Sequence, residues 1–229
     1  MFVFRDSLEA TSTTSRVDVA FTDSSIDLQG LRDDFPELLA HVEGVVGVPL
    51  ARLSQVHGDE VVVVDAPMPL GQVPDGDALV TTTRGLGLMV RVADCVPLVL
   101  ADPEAGVIAA VHSGRPGLVL DIATRTVEVM RQHGATTITG WLGPHVCGSC
   151  YEVPEEMRAE VSALVPEAHA QTSWDTPALD IGAGVRAQLS RAGVEVLDVG
   201  GCTREDRGLH SYRRDGAAAG RFAGLVWLS

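Results

Sequence analysis

The chain has 229 residues, of which 45% are hydrophobic and 4% aromatic, and its formal net charge at pH 7 is −14. This charge argues against nucleic acid and membranes as partners, because phosphate backbones and anionic lipids repel an acidic protein. A chain of this length can bury most of its apolar surface without disulfides. Because no segment has the composition of a linker, we expect one domain over residues 1–229.

The chain shows neither a signal peptide nor an apolar run of about 18 residues, which a transmembrane helix needs. We therefore expect a cytoplasmic protein, either a monomer or a weak homo-oligomer, that acts on a small molecule. In the cytoplasm its four cysteines would be mostly reduced. They are then candidate metal ligands or nucleophiles rather than disulfide partners.

The predicted elements alternate between strands and helices. Residues 6–16 are rich in Ser and Thr and predict a loop or an edge strand. The other strands are predicted at residues 61–64, 79–83, 86–92, 96–101, 107–112, 137–142, 194–199 and 225–228. Helices are predicted at residues 31–46, 118–133, 154–164 and 181–192. The mixture predicts an α/β mixed (α+β) fold, in which mixed β-sheets are flanked by helices.

Residues 102–106 join two apolar strands, contain Pro and end in Gly, which is typical of a β-hairpin. If the first and last residues of this segment pair, Cys95 lies opposite Ser113, and His112 lies opposite Val96. Cross-strand neighbours have Cβ atoms about 4.5–5.5 Å apart. Cys95 and His112 are therefore predicted to lie close enough to share one metal ion.

His57 is the third candidate ligand, since it also falls in a polar turn between two strand-like runs. One thiolate and two imidazoles suit Zn²⁺, and three protein ligands leave a fourth position for water or substrate. The spacing between the three residues is not that of a zinc finger. From the residues alone, each His could be an ordinary surface or core residue, and Cys95 a small buried apolar side chain.

Three arginines, Arg213, Arg214 and Arg221, cluster near the end of this acidic chain. They are compatible with a phosphate or ribose-phosphate site, because guanidinium groups bind such anions in a bidentate manner. Surface ion pairing with Asp206 or Asp215 is the alternative.

Two further features bear on the site. The run Cys147-Gly-Ser-Cys150 allows a redox pair or half of a second metal site, but two loop cysteines in the wall of the active site are favoured. Asp94 and Asp59 adjoin candidate ligands, and either could orient an imidazole or act as a base. The chain has no dinucleotide or Walker fingerprint. Its seven histidines are too few for a blue-copper laccase.

Six motifs occur in a fixed order along roughly residues 50–229. They are Gln55-Val-His-Gly58, Asp77-Ala-Leu-Val-Thr81, Ala93-Asp-Cys-Val-Pro97, Ala109-Ala-Val-His-Ser-Gly114, Gly143-Pro144 with Tyr151-Glu-Val153, and Ser211-Tyr-Arg-Arg-Asp-Gly216. In these motifs the chain resembles a widespread bacterial zinc family, whose members are called polyphenol oxidases or laccase-domain proteins. They are now described as purine nucleoside phosphorylases with adenosine deaminase activity, on a fold grouped with cysteine hydrolases.

The resemblance implies that His57, Cys95 and His112 hold one Zn²⁺ per chain, with copper as an alternative. We expect Cys95, His112 and Asp94 to perform the chemistry. The substrate would be phosphate with a purine nucleoside, such as adenosine, inosine or methylthioadenosine. The residues expected to contact substrate or phosphate are Gln55, Arg115, Arg213, Arg214 and Arg221, and those expected in the site wall are Cys150 and Tyr151.

The chain departs from the family pattern after its third candidate ligand. It reads His112-Ser-Gly-Arg-Pro-Gly117 where the family reads His-Ala-Gly-Trp-Arg-Gly, so the substrate-facing residues differ. Two alternatives therefore stay open. The first is a thiol hydrolase that cleaves an amide of a cell-wall precursor, with Cys95 as nucleophile and His112 as base. The second is a non-catalytic protein with a relic metal site.

Overall fold

The computed structural model describes residues 1–229, which form thirteen strands and six α-helices. No helix has both the length and the apolar composition to cross a membrane. The helices are α1 (Phe35–Val46), α2 (Arg115–Val119), α3 (Ile122–Gln132), α4 (Glu155–Leu164), α5 (Ile181–Arg191) and α6 (Tyr212–Asp215). The strands are β1 (Phe2–Glu9), β2 (Arg16–Thr22), β3 (Leu50–Ala51), β4 (Val61–Val63), β5 (Ala78–Thr81), β6 (Gly87–Val92), β7 (Val96–Asp102), β8 (Val107–Ser113), β9 (Thr139–Leu142), β10 (His169–Gln171), β11 (Pro177–Leu179), β12 (Glu195–Asp198) and β13 (Phe222–Leu228).

The strands form two large mixed sheets and one small one. The five-stranded sheet has the order β1-β2-β13-β6-β3, and the six-stranded sheet has the order β12-β9-β7-β8-β5-β4. Each large sheet contains antiparallel pairs and at least one parallel pair at an edge. Strands β10 and β11 form an antiparallel pair of their own. The predicted mixed α/β fold is confirmed.

The apolar runs of β7 and β8 are continuous because both faces of these strands are buried. Along β8, Ala109 and Val111 point into the cluster that contains the apolar face of α3. Ile108 and Ala110 point into the cluster shared with strands of the five-stranded sheet. A third cluster lies between the five-stranded sheet and α1. The central hairpin is therefore packed on both sides, which holds its ends in fixed positions.

The predicted hairpin is present, but its register differs by one residue from the prediction. Val96 pairs with Ser113, and Pro97 pairs with His112. The turn begins after Asp102, which pairs with Val107. Gly106 has a φ of 65°, so it belongs to the turn rather than to the ladder.

The predicted helix over residues 118–133 is instead two helices. Asp121 interrupts it with a left-handed backbone, φ 59° and ψ 44°, and its side chain accepts a hydrogen bond from the amide of Thr124. Asp121 therefore acts as the N-cap of α3, a role that short acidic side chains favour. At the N-terminus, residues 6–9 belong to an edge strand and residues 10–15 to a loop. Both outcomes were anticipated as alternatives.

Candidate active site and metal centre

Three segments bring two histidines and one cysteine together. His57 lies in the loop between β3 and β4, Cys95 in the turn between β6 and β7, and His112 near the end of β8. Their ligand atoms all lie within 4.8 Å of one another. Cys95 Sγ is 3.8 Å from His57 Nε2, and the two imidazole rings meet edge to face with centroids 4.7 Å apart.

Asp77 orients the side chain of His112 and holds the backbone of the loop that carries His57. Its carboxylate accepts a hydrogen bond of 2.7 Å from His112 Nδ1, which leaves Nε2 of that ring free. It also accepts backbone N–H bonds from His57, at 3.0 Å, and from Gly58, at 2.6 Å. Burial works to raise the pKa of Asp77, but these bonds hold it below its usual range. Sequence reasoning assigned the orienting role to Asp94 or Asp59 and missed Asp77, although it quoted the motif that Asp77 begins.

Two residues at the centre have positive φ angles, which residues other than glycine rarely adopt. His57 has a φ of 61° and Asp94 a φ of 86°, and such strain is typical of functional sites. Gly114 leaves room for the centre, since a Cβ there would lie 2.9 Å from His57 Cδ2 and 3.1 Å from Cys95 Sγ. The sequence thus needs glycine after the His112-Ser pair for a steric reason.

Asp94 lines the cavity, but its carboxylate is already fully engaged. It accepts hydrogen bonds from the Thr203 hydroxyl at 2.6 Å, the Ser211 hydroxyl at 2.7 Å and the Arg213 amide at 2.6 Å. Asp94 thereby joins the turn that carries Cys95 to the C-terminal segment. This geometry suits a positioning residue better than the base that the sequence predicted. Asp59 forms an ion pair with Arg125 at 3.1 Å.

The three side chains form a polarised group even without a metal. Burial works to raise the pKa of Cys95, but the neighbouring imidazoles of His112 and His57 lower it to about 6. Burial works to lower the pKa of His112, but the Cys95 thiolate and the Asp77 carboxylate raise it to about 9. At neutral pH the metal-free centre therefore carries a thiolate and an imidazolium.

The centre opens into a cavity of about 690 Å³, a volume typical of small-molecule sites. The cavity walls combine aromatic, amide and guanidinium groups. The residues that line it are Gln29, Gln55, His57, Arg91, Val92, Ala93, Asp94, Cys95, His112, Tyr151, Tyr212, Arg213 and Arg221.

Three arginines line this cavity, although the protein as a whole is acidic. Arg213 and Arg221 were predicted from the sequence, and Arg91 was missed. Burial, followed by the positive charges of Arg52 and Arg221, lowers the pKa of Arg91. A sequence signal for Arg91 existed, since it is the charged residue within the apolar strand β6. Crowded like charges beside a cavity favour an anionic ligand.

The remaining predicted contacts have different surroundings. Gln55 lines the cavity, but its side-chain amide is paired with the backbone of Arg91, at 2.8 and 2.9 Å. Arg115 begins α2 and lies outside the cavity lining. Arg214 also lies outside it, because its guanidinium donates to backbone carbonyls of the 203–209 segment and pairs with Asp215. The alternative of ion pairing thus describes Arg214.

The two residues predicted for the site wall differ in their relation to the cavity. Tyr151 lines the cavity, and the guanidinium of Arg213 stacks 4.4 Å from the centroid of its ring. Cys150 does not line the cavity. Its thiol donates a hydrogen bond of 3.3 Å to Glu205, and burial followed by the Glu205 carboxylate raises its pKa to about 12.

The donor set at the centre fits a metal ion. Two imidazole nitrogens and one thiolate sulfur are ligands that Zn²⁺ prefers, and Zn–N and Zn–S bonds of about 2.0–2.3 Å place tetrahedral ligands about 3.3–3.8 Å apart. The separation of 3.8 Å between Cys95 Sγ and His57 Nε2 lies at the upper end of this range. The bond between His112 and Asp77 is the imidazole–carboxylate contact that commonly fixes a metal-binding tautomer.

Comparison with known proteins places the chain in a family. Residues 32–229 match the family model described as multi-copper polyphenol oxidoreductase laccase, and the chain belongs to this family. A purine nucleoside phosphorylase of Streptomyces coelicolor is 53% identical over 195 residues, which are 84% of this chain and 80% of that protein. A purine nucleoside phosphorylase of Mycobacterium tuberculosis is 46% identical over 193 residues, 83% of this chain and 76% of that protein.

Solved structures share the fold over its whole length. A Neisseria meningitidis protein superposes with a TM-score of 0.83 at 28% identity, covering 100% of this chain and 99% of that chain. The protein YlmD of Geobacillus stearothermophilus superposes with a TM-score of 0.80 at 24% identity, covering 92% and 91%. The family that the sequence motifs suggested is therefore confirmed.

Proposed function

We propose that this protein is a zinc-dependent purine nucleoside phosphorylase, in which His57, Cys95 and His112 hold one metal ion. Relatives that share up to 53% of their residues with it over most of the chain are named for this activity. The observation that carries the proposal is that one cavity contains both a centre of three metal-type ligands and three arginines. The centre could hold a catalytic metal, and the arginines could bind phosphate.

Each part of the cavity has a separate task in this proposal. A metal held by His57, Cys95 and His112 would supply Lewis-acid chemistry. Asp77 keeps Nδ1 of His112 protonated and its Nε2 available. Arg213 is held over Tyr151 by a hydrogen bond of 2.8 Å to the carbonyl of Glu152, so its remaining donors can face an anion.

Phosphorolysis then needs little covalent chemistry from the protein. A phosphate oxygen forms a bond to C1′ of the ribose while the bond between C1′ and N9 of the purine breaks. The base leaves with the bonding electrons and gains a proton from phosphate or water. Arginine side chains hold phosphate in a fixed orientation through bidentate hydrogen bonds, which reduces the entropic cost of bringing two reactants together.

Adenosine, inosine and methylthioadenosine are the proposed nucleosides. Deamination of adenosine is a second reaction that the same centre could support, because a metal held by His57, Cys95 and His112 would supply the activation of water that this hydrolysis requires. The two reactions have different requirements. Phosphorolysis needs phosphate and the cavity arginines, whereas deamination needs neither, so omission of phosphate separates them.

A thiol hydrolase is the second candidate function, and one observation favours it. The low pKa of Cys95 beside His112 is the arrangement of a nucleophilic thiolate with its base. His57 discriminates between the candidates, since a Cys–His pair does not require a second imidazole. A His57→Ala variant that keeps amidase activity would favour the hydrolase, and one that loses metal and nucleoside turnover would favour the phosphorylase.

Removal and restoration of metal test the proposal. The protein is purified without an affinity tag, stripped with a chelator and assayed on inosine with phosphate. We expect activity to disappear and to return when Zn²⁺ is restored. Recovery with Cu²⁺ alone would identify copper as the cofactor. Full activity in the stripped protein would contradict a metal-dependent mechanism, and a metal-replete protein inactive on nucleosides and amides would favour a relic metal site.

A further inference from the structure

A second group of metal-type side chains lies outside the cavity lining. It consists of Cys147, Cys150, Cys202 and Glu205, and we call it the cysteine cluster. The ligand atoms of these four residues lie within 4.8 Å of one another. All three cysteines are free thiols. None of the four residues contributes to the cavity, so the proposed reaction assigns no role to them.

Two short turns of the same kind form the cysteine cluster. In the first, the amide of Cys150 donates to the carbonyl of Cys147 at 2.9 Å. In the second, the amide of Glu205 donates to the carbonyl of Cys202 at 3.1 Å. Each turn thus presents two donors separated by two residues, which is the ligand spacing of structural zinc sites. The sequence showed only the first half, because the second half ends in glutamate rather than cysteine.

Backbone contacts hold the two turns face to face. His145 and Cys202 form a parallel bridge, and the amide of Thr203 donates to the carbonyl of His145 at 3.0 Å. The amide of Cys147 donates a bond of 3.4 Å to Cys202 Sγ. The fold therefore fixes the separation of the turns, and a backbone N–H is already directed at one sulfur.

We propose that the cysteine cluster is a second metal site, which holds one structural zinc ion. Three thiolates and one carboxylate are donors that Zn²⁺ accepts in a closed tetrahedral site. Zn–S bonds of about 2.3 Å would place ligands about 3.8 Å apart, so the present limit of 4.8 Å needs only a small contraction. An iron–sulfur cluster would spread its cysteine sulfurs further apart than a single ion does.

A metal bound at the cysteine cluster would hold neighbouring residues of the cavity wall in place. Tyr151 directly follows the first turn and lines the cavity. The second turn leads into the segment whose carbonyls bind Arg214, next to Arg213. Four protein ligands leave no open position for substrate. We therefore expect this metal to stabilise the fold and to position Tyr151 and Arg213, not to react.

Zinc content of two variants tests the proposal, and both are measured on full-length protein purified without added metal or an affinity tag. We expect two zinc ions per chain in the wild type, one in Cys95→Ala and one in Cys202→Ser. The Cys95→Ala variant is decisive, because it leaves the cysteine cluster unchanged. Zinc-free Cys95→Ala protein, with its other thiols free or joined in a disulfide, would overturn the proposal.

The outcomes for the two sites are separable. One zinc in the wild type that Cys95→Ala removes would overturn the second site and leave the proposed function intact. One zinc that Cys95→Ala retains and Cys202→Ser removes would support the second site and contradict the proposed catalytic metal. If Cys202→Ser fails to fold, Glu205→Gln replaces it, and we expect its zinc affinity at this site to fall more than about tenfold in competition with a chelator. Unchanged affinity would contradict the carboxylate ligand.

Cobalt provides a second readout. Thiolate-to-cobalt charge-transfer absorption grows with the number of thiolate ligands, which is three at the cysteine cluster and one at the catalytic centre. In cobalt-loaded protein, we expect Cys95→Ala to keep most of this absorption. Loss of nearly all of it in Cys95→Ala would contradict the second site.

Discussion

The three-residue centre of His57, Cys95 and His112 and the cysteine cluster both contain cysteine, but in opposite surroundings. Cys95 faces two imidazoles, which lower its pKa to about 6. Cys150 faces other thiols and a carboxylate, and its pKa is raised to about 12 by burial and these neighbours. The first group lines the cavity and offers three donor atoms. The second group offers four donor atoms and lies outside the cavity lining. Cysteine alone therefore indicates little about function, and its neighbours determine whether it is reactive.

The Cys95→Ala variant should produce the largest effect on activity. Loss of a ligand would remove Lewis-acid assistance of about 4 kcal/mol. This loss corresponds to about a 1000-fold lower kcat/KM. The melting temperature should fall by no more than the loss of the bound ion accounts for, because the cysteine cluster and the core are unaffected. Steady-state kinetics on inosine and thermal unfolding provide the two measurements. An active variant would place the chemistry away from Cys95.

A Gly114→Ala substitution should displace the ligands without removing one. The new Cβ would lie 2.9 Å from His57 Cδ2 and 3.1 Å from Cys95 Sγ. A displacement of a catalytic group by about 1 Å costs about 100-fold in rate. Gly44→Ala is the matched control, since nothing lies within 4 Å of a Cβ at that position. Equal activity of both variants would show that the centre tolerates the methyl group.

An Asp77→Asn substitution should weaken the metal centre by loss of charge rather than of volume. Substitution of a carboxylate that orients a metal-bound histidine costs about 10- to 100-fold in metal affinity or activity. Asp59→Asn is the control, because Asp59 pairs with Arg125 at the surface. Zinc competition with a fluorescent chelator compares the two. An Asp77→Asn protein with wild-type affinity would refute the orienting role.

Arg213 and Arg214 are adjacent, yet they serve different sites. Arg213→Ala should raise the KM for phosphate about tenfold through loss of a charge-assisted hydrogen bond, with little change in stability. Arg214→Ala should lower the free energy of unfolding by about 2 kcal/mol, because backbone carbonyls of Thr203, Asp206 and Leu209 lose their donor. The reverse pattern of effects would contradict the assignment of these two side chains.

Thiol reactivity in the metal-stripped protein should show the smallest but clearest contrast. Cys95 is protonated and unreactive below its pKa of about 6 and becomes a reactive thiolate above it. Cys150 should resist alkylation through neutral pH, since its pKa is about 12. Mass spectrometry after timed alkylation at several pH values identifies the modified residue. Faster modification of Cys150 than of Cys95 at pH 7 would contradict these surroundings.

The sequence predicted the proximity of Cys95 and His112 better than the residues around them, for a physical reason. Strand-like runs and turn residues located the central hairpin, so Cys95 and His112 were placed together despite a register error of one residue. Asp77 and Arg91 were missed because their roles depend on packing between distant strands. Each side chain acts on a partner more than 30 residues away, a separation that local patterns do not encode.

The cysteine cluster was missed for a related reason. Cys147 and Cys150 are visible in the sequence as a pair, but Cys202 and Glu205 lie some 50 residues further on. Contacts made in the folded chain, such as the parallel bridge between His145 and Cys202, bring the halves together. Helix α3 shows the opposite case, because its start depends on a local signal, the N-cap residue Asp121. The apolar spacing of residues 118–133 nevertheless predicted one continuous helix.

The products formed from inosine test the central claim most directly. Wild-type protein is incubated with inosine in the presence and in the absence of phosphate, and the sugar product is identified. The account predicts that hypoxanthine appears only with phosphate and in equal amount to ribose 1-phosphate. Release of free ribose without phosphate, or no release of base by zinc-replete protein, would contradict a phosphorylase.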